Sequence, residues 1–411
     1  MNSITKQLRT IGLFVLYVFF FAYGIGNASP IGKYYLVFIY ISIAIAGVIL
    51  FLEKECIKKY KQYFQWMGCF IAFETATLVY ALNISYGFSW VISSIKILVK
   101  ITAVVIICDN FEGFYKLCKG LAFIGGAEFI TLYRTNKLYE NWRLGTELLG
   151  NANSFALIIM FFSLCALISL FNEKRLFLKI IYLVFFIMDI YMNFLSGGRK
   201  FLLFQLAFIY SSLLLRSRKI KWKNIILGTF LIAAIIYTSY RVIMSVPVLY
   251  EHIGIRLTGL GSGEGAMGVD DQSNLMKRGI SLFLQKPLFG WGIGSYVAYH
   301  GLNYGSYSYA HSNYVELLAD FGILGTLLYY SQYIYCLKVM LRNKQKNEAY
   351  GKVFIPMILS ITVIDIFAIT FNQTAFIPFL LMFISGNVYE KKKDYENMKE
   401  ISIKAGSKYF K

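Results

Sequence analysis

Apolar runs of about twenty residues recur from one end of this 411-residue chain to the other, and they limit its fold more than any other feature. A helix needs about 20 mostly apolar residues to cross a bilayer. Twelve stretches fit, at 11–27, 34–52, 67–83, 90–107, 118–133, 153–171, 180–196, 201–215, 225–240, 313–337, 353–371 and 375–389. The expected fold is an all-α polytopic membrane protein with about 12 transmembrane helices. Hydrophobic residues make up 57% of the chain and charged ones only 15%, against roughly 45–50% and 25% in soluble domains. The first run lacks a small-residue cleavage site and further spans follow it, so no cleavable signal peptide is expected.

A net charge of +19 would suit a nucleic-acid binder, but the placement of the charge argues against one. With the N-terminus inside, the inner side carries 28 Lys and Arg, counting Lys119 at the inner end of its span, and the outer loops 11, alternating loop by loop. That is the positive-inside pattern, and it puts both termini in the cytoplasm. None of the six cysteines falls in an outer loop, so they read as small apolar fillers rather than a disulfide framework.

Four regions follow. Residues 1–240 hold the first nine spans, 241–312 form a large external loop, 313–389 hold the last three spans, and 390–411 are a basic cytoplasmic tail. The external loop contains a Gly-rich stretch, Gly261 to Gly268, and then an amphipathic segment from Gln272 to Gln285. Its spacing predicts a short helix with Leu275, Ile280, Leu282, Phe283 and Leu284 inward and Lys277 and Arg278 outward. A loop this long is usually functional when it carries motifs.

Intramembrane charge is expensive and marks candidate functional positions. Glu128, Asp189, Glu316, Asp320 and Asp365 fall in the outer parts of their spans, with Arg143, Arg199, Arg256 and Arg278 just above them. Such convergence would suit a polar cavity opening outward; bundle-holding ion pairs are the plainer reading. Glu74 with Lys96 and Lys100 is expected to be one such pair. Arg199 is delivered by the tight turn Ser196-Gly-Gly-Arg199, and its planar fork matches phosphate. His311 lies where the external loop re-enters the membrane, at the mouth of a helix carrying Glu316 and Asp320. Gly290-Trp-Gly-Ile-Gly294 lacks the strand that a nucleotide loop requires and reads as a turn letting backbone approach a ligand. There is no Walker motif, zinc-ligand spacing or Asp-x-Asp pair, so neither metal nor cofactor is expected, and arginine would have to handle phosphate.

Four patches together resemble the O-antigen polymerase and ligase superfamily of bacterial polysaccharide assembly. They are Arg143-Leu-Gly with Gly150-Asn-Ala-Asn153, then Ser196-Gly-Gly-Arg199. Arg278 with Pro287-Leu-Phe-Gly-Trp-Gly follows, and last Ala310-His-Ser-Asn-Tyr-Val-Glu316 with Gly322 and Gly325. The second patch has an extra Gly before Arg199, and the last has Ser312 where the family usually has Asn. The resemblance implies a metal-independent glycosyltransferase of the bacterial cytoplasmic membrane, with its site facing outward. It implies a donor glycan on undecaprenyl diphosphate and a sugar hydroxyl as acceptor. The acceptor is another lipid-linked repeat unit in a polymerase for capsule, exopolysaccharide or O-antigen, or lipid A-core in a ligase. Chain-length regulator and flippase proteins are then candidate partners.

On this reading His311 is the general base, Arg199 and Arg278 grip the diphosphate, and Arg143 assists. Arg256, Asn153, Asn313 and Glu316 complete the substrate contacts, with Glu316 orienting sugar hydroxyls or an arginine. Tyr296, Tyr299, Tyr304, Tyr307 and Tyr309 would stack on sugars or anchor the loop at the interface. A lipid-linked oligosaccharide flippase would also suit twelve spans, but such transporters show internal repeats and none is visible here.

Overall fold

The computed structural model describes residues 3–138, 143–215, 222–247, 250–254, 269–343, 350–371 and 375–387. Its helices are α1 (Ser3–Ile25), α2 (Tyr35–Leu52), α3 (Lys61–Thr77), α4 (Ile84–Cys108), α5 (Phe111–Arg134), the short α6 (Thr146–Leu149), α7 (Ala152–Asn172) and α8 (Leu176–Leu195). There follow α9 (Arg199–Leu215), α10 (Trp222–Ser245), α11 (Val269–Gln285), α12 (Ser295–Tyr304), α13 (Asn313–Asn343), α14 (Ile355–Ile364) and α15 (Phe376–Asn387). Each expected span falls on one of these helices. Five segments are long and apolar enough to cross a membrane by length and composition: Ser3–Ala28, Pro30–Leu52, Ile84–Cys108, Ala152–Asn172 and Leu176–Leu195. This is an all-α membrane protein.

The packing inverts the soluble pattern. Phe14, Phe51, Leu176, Phe177 and Phe230 lie at least 65% exposed on the outside of the bundle, a surface suited to lipid. Inside, α7 is buried along most of its length against α5, α8 and α9. Asparagines start three of the helices: Asn83, Asn110 and Asn151 accept from the backbone amides of Tyr86, Gly113 and Asn153, each satisfying an orphan N–H of a first turn. At the far end of α4, Arg9 pairs with Glu53 at 2.9 Å and Lys59 with Asp109 at 2.9 Å, joining α1 and α2 to the α4–α5 corner.

The motif-bearing half is organised by a break in α13. Gly322 has φ 62° and ψ −164°, a conformation open essentially to glycine alone. The turn segment Pro287–Gly292 threads this break. Trp291 and Gly292 donate their amides to the carbonyls of Ala319 and Asp320, at 3.0 and 2.7 Å. Ile323 and Leu324 donate back to Pro287 and Leu288, at 2.8 and 3.2 Å. A Cβ on Gly322 would lie 2.5 Å from the Leu288 carbonyl carbon, and one on Gly290 would strike the Asp320 carbonyl. The glycines of the two motifs are therefore a matched pair. This corrects the expectation for Gly290–Gly294: the backbone it lets approach is that of α13.

α11 also differs in part from its expected face. Leu275 and Leu282 are buried, while Ile280 and Leu284 are 45% and 68% exposed. Residues two apart lie about 200° apart round a helix, so Leu282 and Leu284 cannot share a face. Lys277 is exposed as expected, but Arg278 turns onto α12.

Candidate functional site

His311 sits between two anchors. On one side the Ala310 amide donates to Glu316 Oε2 at 2.6 Å. On the other, the Asn313 amide and the Ser312 hydroxyl donate to the Asp365 carbonyl at 2.8 and 3.3 Å. Between them His311 adopts φ 58°, a left-handed conformation that costs a non-glycine residue on the order of 1 kcal/mol or more and persists only when its surroundings over-determine it. The imidazole lies 4.4 Å from the Tyr309 ring, and among the described residues its Nδ1 is buried with no hydrogen-bond partner. Burial, with the nearby Lys200 charge, lowers its pKa from 6.5 to about 4. The ring is thus neutral at neutral pH, with a lone pair to offer.

Tyr309 carries this loop to a polar wall. Asn153 at the start of α7 shares a cavity wall with Tyr309 and accepts from Arg143 Nη2 at 3.2 Å. Arg143 in turn donates from Nε to the Ser196 carbonyl at 2.9 Å, so the Ser-Gly-Gly turn ahead of α9 holds the arginine. Asn151, Asn153, Ser154, Lys200, Tyr309 and Thr370 line one cavity of about 60 Å³. An apolar cavity of about 350 Å³ shares Ser154, Leu157 and Phe376 with it and continues past Phe19, Phe20, Tyr23 and Tyr35, with Lys100 on its wall. Lys100 is therefore not the partner of Glu74, which takes a hydrogen bond from Ser94 at 3.1 Å.

Arg278 belongs to a neighbouring group. Its Nη1 lies 2.7 Å from His300 Nε2, and its guanidinium carbon stands 3.6 Å over the Tyr304 ring. The two groups adjoin through bare backbone, since a Cβ on Gly279 would lie 3.6 Å from the Ala310 methyl. The acids do not converge on one cavity. Asp320 accepts from the amides of Gly294 and Tyr296 at 2.8 Å each, capping α12. Asp365 accepts from Tyr330 and Thr370 at 2.9 and 2.6 Å. Glu128 and Asp189 are fully buried against Gly24 of α1 and Gly125 of α5, without hydrogen-bond partners among the described residues.

Of the expected site residues, Arg143, Asn153 and His311 meet around Tyr309. Asn313 is taken up by the fold, accepting from the amides of Thr370 and Phe371 at 2.9 and 3.0 Å and donating to Tyr330 at 3.0 Å. One Glu316 oxygen is committed to the Ala310 backbone rather than to an arginine. Arg199 opens α9, its side chain outside the described set, and Arg256 lies outside the described residues altogether. Lys200 is the residue that sequence reasoning passed over. Its only signal was its place beside Arg199 in the turn.

Residues 184–330 match the family model of O-antigen ligases. That stretch is similar to the O-antigen ligase and polymerase superfamily, and the match supports the resemblance seen in the sequence motifs. The matched stretch takes in the Ser196 turn, Lys200, Arg278, His300, His311, Glu316 and Gly322, while Arg143 and Asn153 precede it. Members of this superfamily are glycosyltransferase-like enzymes. Among curated proteins, none matches the chain.

Proposed function

We propose that the chain is a polysaccharide repeat-unit polymerase of the bacterial cytoplasmic membrane. It would transfer a glycan from undecaprenyl diphosphate to a sugar hydroxyl of another lipid-linked repeat unit. The observation that carries this reading is His311, whose Nδ1 has no partner among the described residues and whose ring packs on Tyr309, a wall residue of a small cavity that carries Asn153 and Lys200 and adjoins a longer apolar one. The acceptor hydroxyl gives its proton to His311 as its oxygen bonds the donor's anomeric carbon. The bond from that carbon to the diphosphate oxygen breaks, and the leaving group takes the electron pair. Its growing negative charge is met by Lys200 and Arg143, with Arg278 and Arg199 assigned to the same role, as electrostatic stabilisation of a leaving group requires. The apolar cavity suits the isoprenoid tail.

A base of pKa about 4 is weak in the empty protein. A diphosphate anion beside it would raise that value, because an opposite charge favours the protonated ring. Base strength thus rises when donor is bound.

The ligase reading draws on the description of the matching family. The two differ in acceptor, so the deciding experiment gives the purified protein a lipid-linked repeat unit alone. A ladder of multiples supports the polymerase. Transfer only when lipid A-core is added supports the ligase.

A further inference from the structure

The Arg278 cluster is built around a histidine that the transfer reaction does not need as a reactant. His300 Nδ1 lies 2.6 Å from the Ser306 carbonyl oxygen. A carbonyl only accepts, so Nδ1 carries the hydrogen and Nε2 presents its lone pair. Arg278 Nη1, which only donates, meets that lone pair at 2.7 Å. Tyr304 covers one face of the guanidinium at 3.6 Å and also packs on the His300 ring at 4.9 Å. His300 is 4% exposed, and its contacts come from α11, α12 and the loop after α12. One edge of the Arg278 fork and one of its faces are thereby fixed, and among the described residues its remaining N–H groups meet no acceptor.

We propose that His300 is a positioning residue for Arg278. Its ring holds the guanidinium in place through the Nε2 lone pair while the Ser306 carbonyl fixes the ring through Nδ1. The other titratable or charged groups around the pair are Tyr296 and Tyr304 on α12 and Tyr307 in the following loop, which packs against Gly301. From α13, Glu316 and Asp320 act on Tyr296, as Arg278 does. The link to transfer rests on the function proposed above; the His300–Arg278 coupling itself does not.

The test has two arms. Nitrogen NMR of histidine-labelled protein at one fixed pH reads the coupling without turnover: His300 shows the Nδ1–H tautomer, and Arg278→Gln moves the Nε2 resonance, because the lone pair loses a charged donor. A His300 in the Nε2–H tautomer, or an Nε2 resonance that ignores Arg278→Gln, overturns the proposal. In the second arm, initial rates of transfer to a lipid-linked repeat unit are compared across variants. His300→Ala loses about 10²-fold, the scale of a misplaced binding group. His300→Gln, whose side-chain oxygen also accepts from Arg278, recovers most of that loss. Wild-type rates from His300→Ala, or a His300→Gln variant no better than alanine, overturn the proposal. If the wild type shows no transfer, the function reading fails instead, and the NMR arm still decides the pair.

Discussion

The Glu316 carboxylate reaches back six residues to accept the backbone amide of Ala310 at 2.6 Å, and so sets the loop that presents His311. The contact is fully buried. Glu316→Ala strands the Ala310 N–H, a loss of about 1–3 kcal/mol for a buried unsatisfied donor, and relaxes the strained His311 backbone. Melting in detergent should fall and transfer should fall further. Glu316→Gln keeps an acceptor oxygen and should recover most of the stability. If the alanine variant matches wild type in both respects, Glu316 does not position the loop.

The interlock of Gly290 and Gly322 should be intolerant of a single methyl. Gly322→Ala meets both a glycine-only backbone conformation and the Leu288 carbonyl, a strain on the order of 1–3 kcal/mol from the backbone alone. Gly305 also has a positive φ, of 70°, but nothing stands within 4 Å of an added Cβ. Gly305→Ala should therefore cost only the left-handed penalty of about 1 kcal/mol. Thermal melts of the two variants, compared side by side, check the difference.

Lys200 makes a two-sided prediction. Its charge helps hold His311 near a pKa of about 4, so Lys200→Met should raise the His311 titration toward the ordinary value of about 6.5. The same change removes a cation from the leaving-group cavity, and transfer should drop about 10²-fold. Histidine NMR and initial rates measure the two effects separately. An unchanged His311 titration would mean that Lys200 does not act on the ring.

The membrane class and helical fold were legible because composition and the length of apolar runs act locally. Each expected span landed on a helix. What the sequence hid was long-range pairing. The Gly-rich motif after α11 read as a ligand-approaching turn because its partner, the break at Gly322, lies some thirty residues further on. Arg278 read as an outward cation because nothing local points to His300. Asn313 read as a substrate ligand, yet its oxygen is spent on amides 57 and 58 residues away. His311, Arg143 and Asn153 could be picked out as polar residues in external segments at helix starts. Lys200 was masked by the more phosphate-like arginine before it.

Transfer by purified protein in lipid nanodiscs, given a single lipid-linked repeat unit and no gradient, tests the central claim most directly. Wild type should build a ladder of multiples and release undecaprenyl diphosphate. His311→Gln, folded to the same melting temperature, should fall by about 10²–10⁴-fold, the usual cost of removing a general base. A His311→Gln ladder indistinguishable from wild type would contradict the assignment of the base. No ladder from wild type would contradict the polymerase.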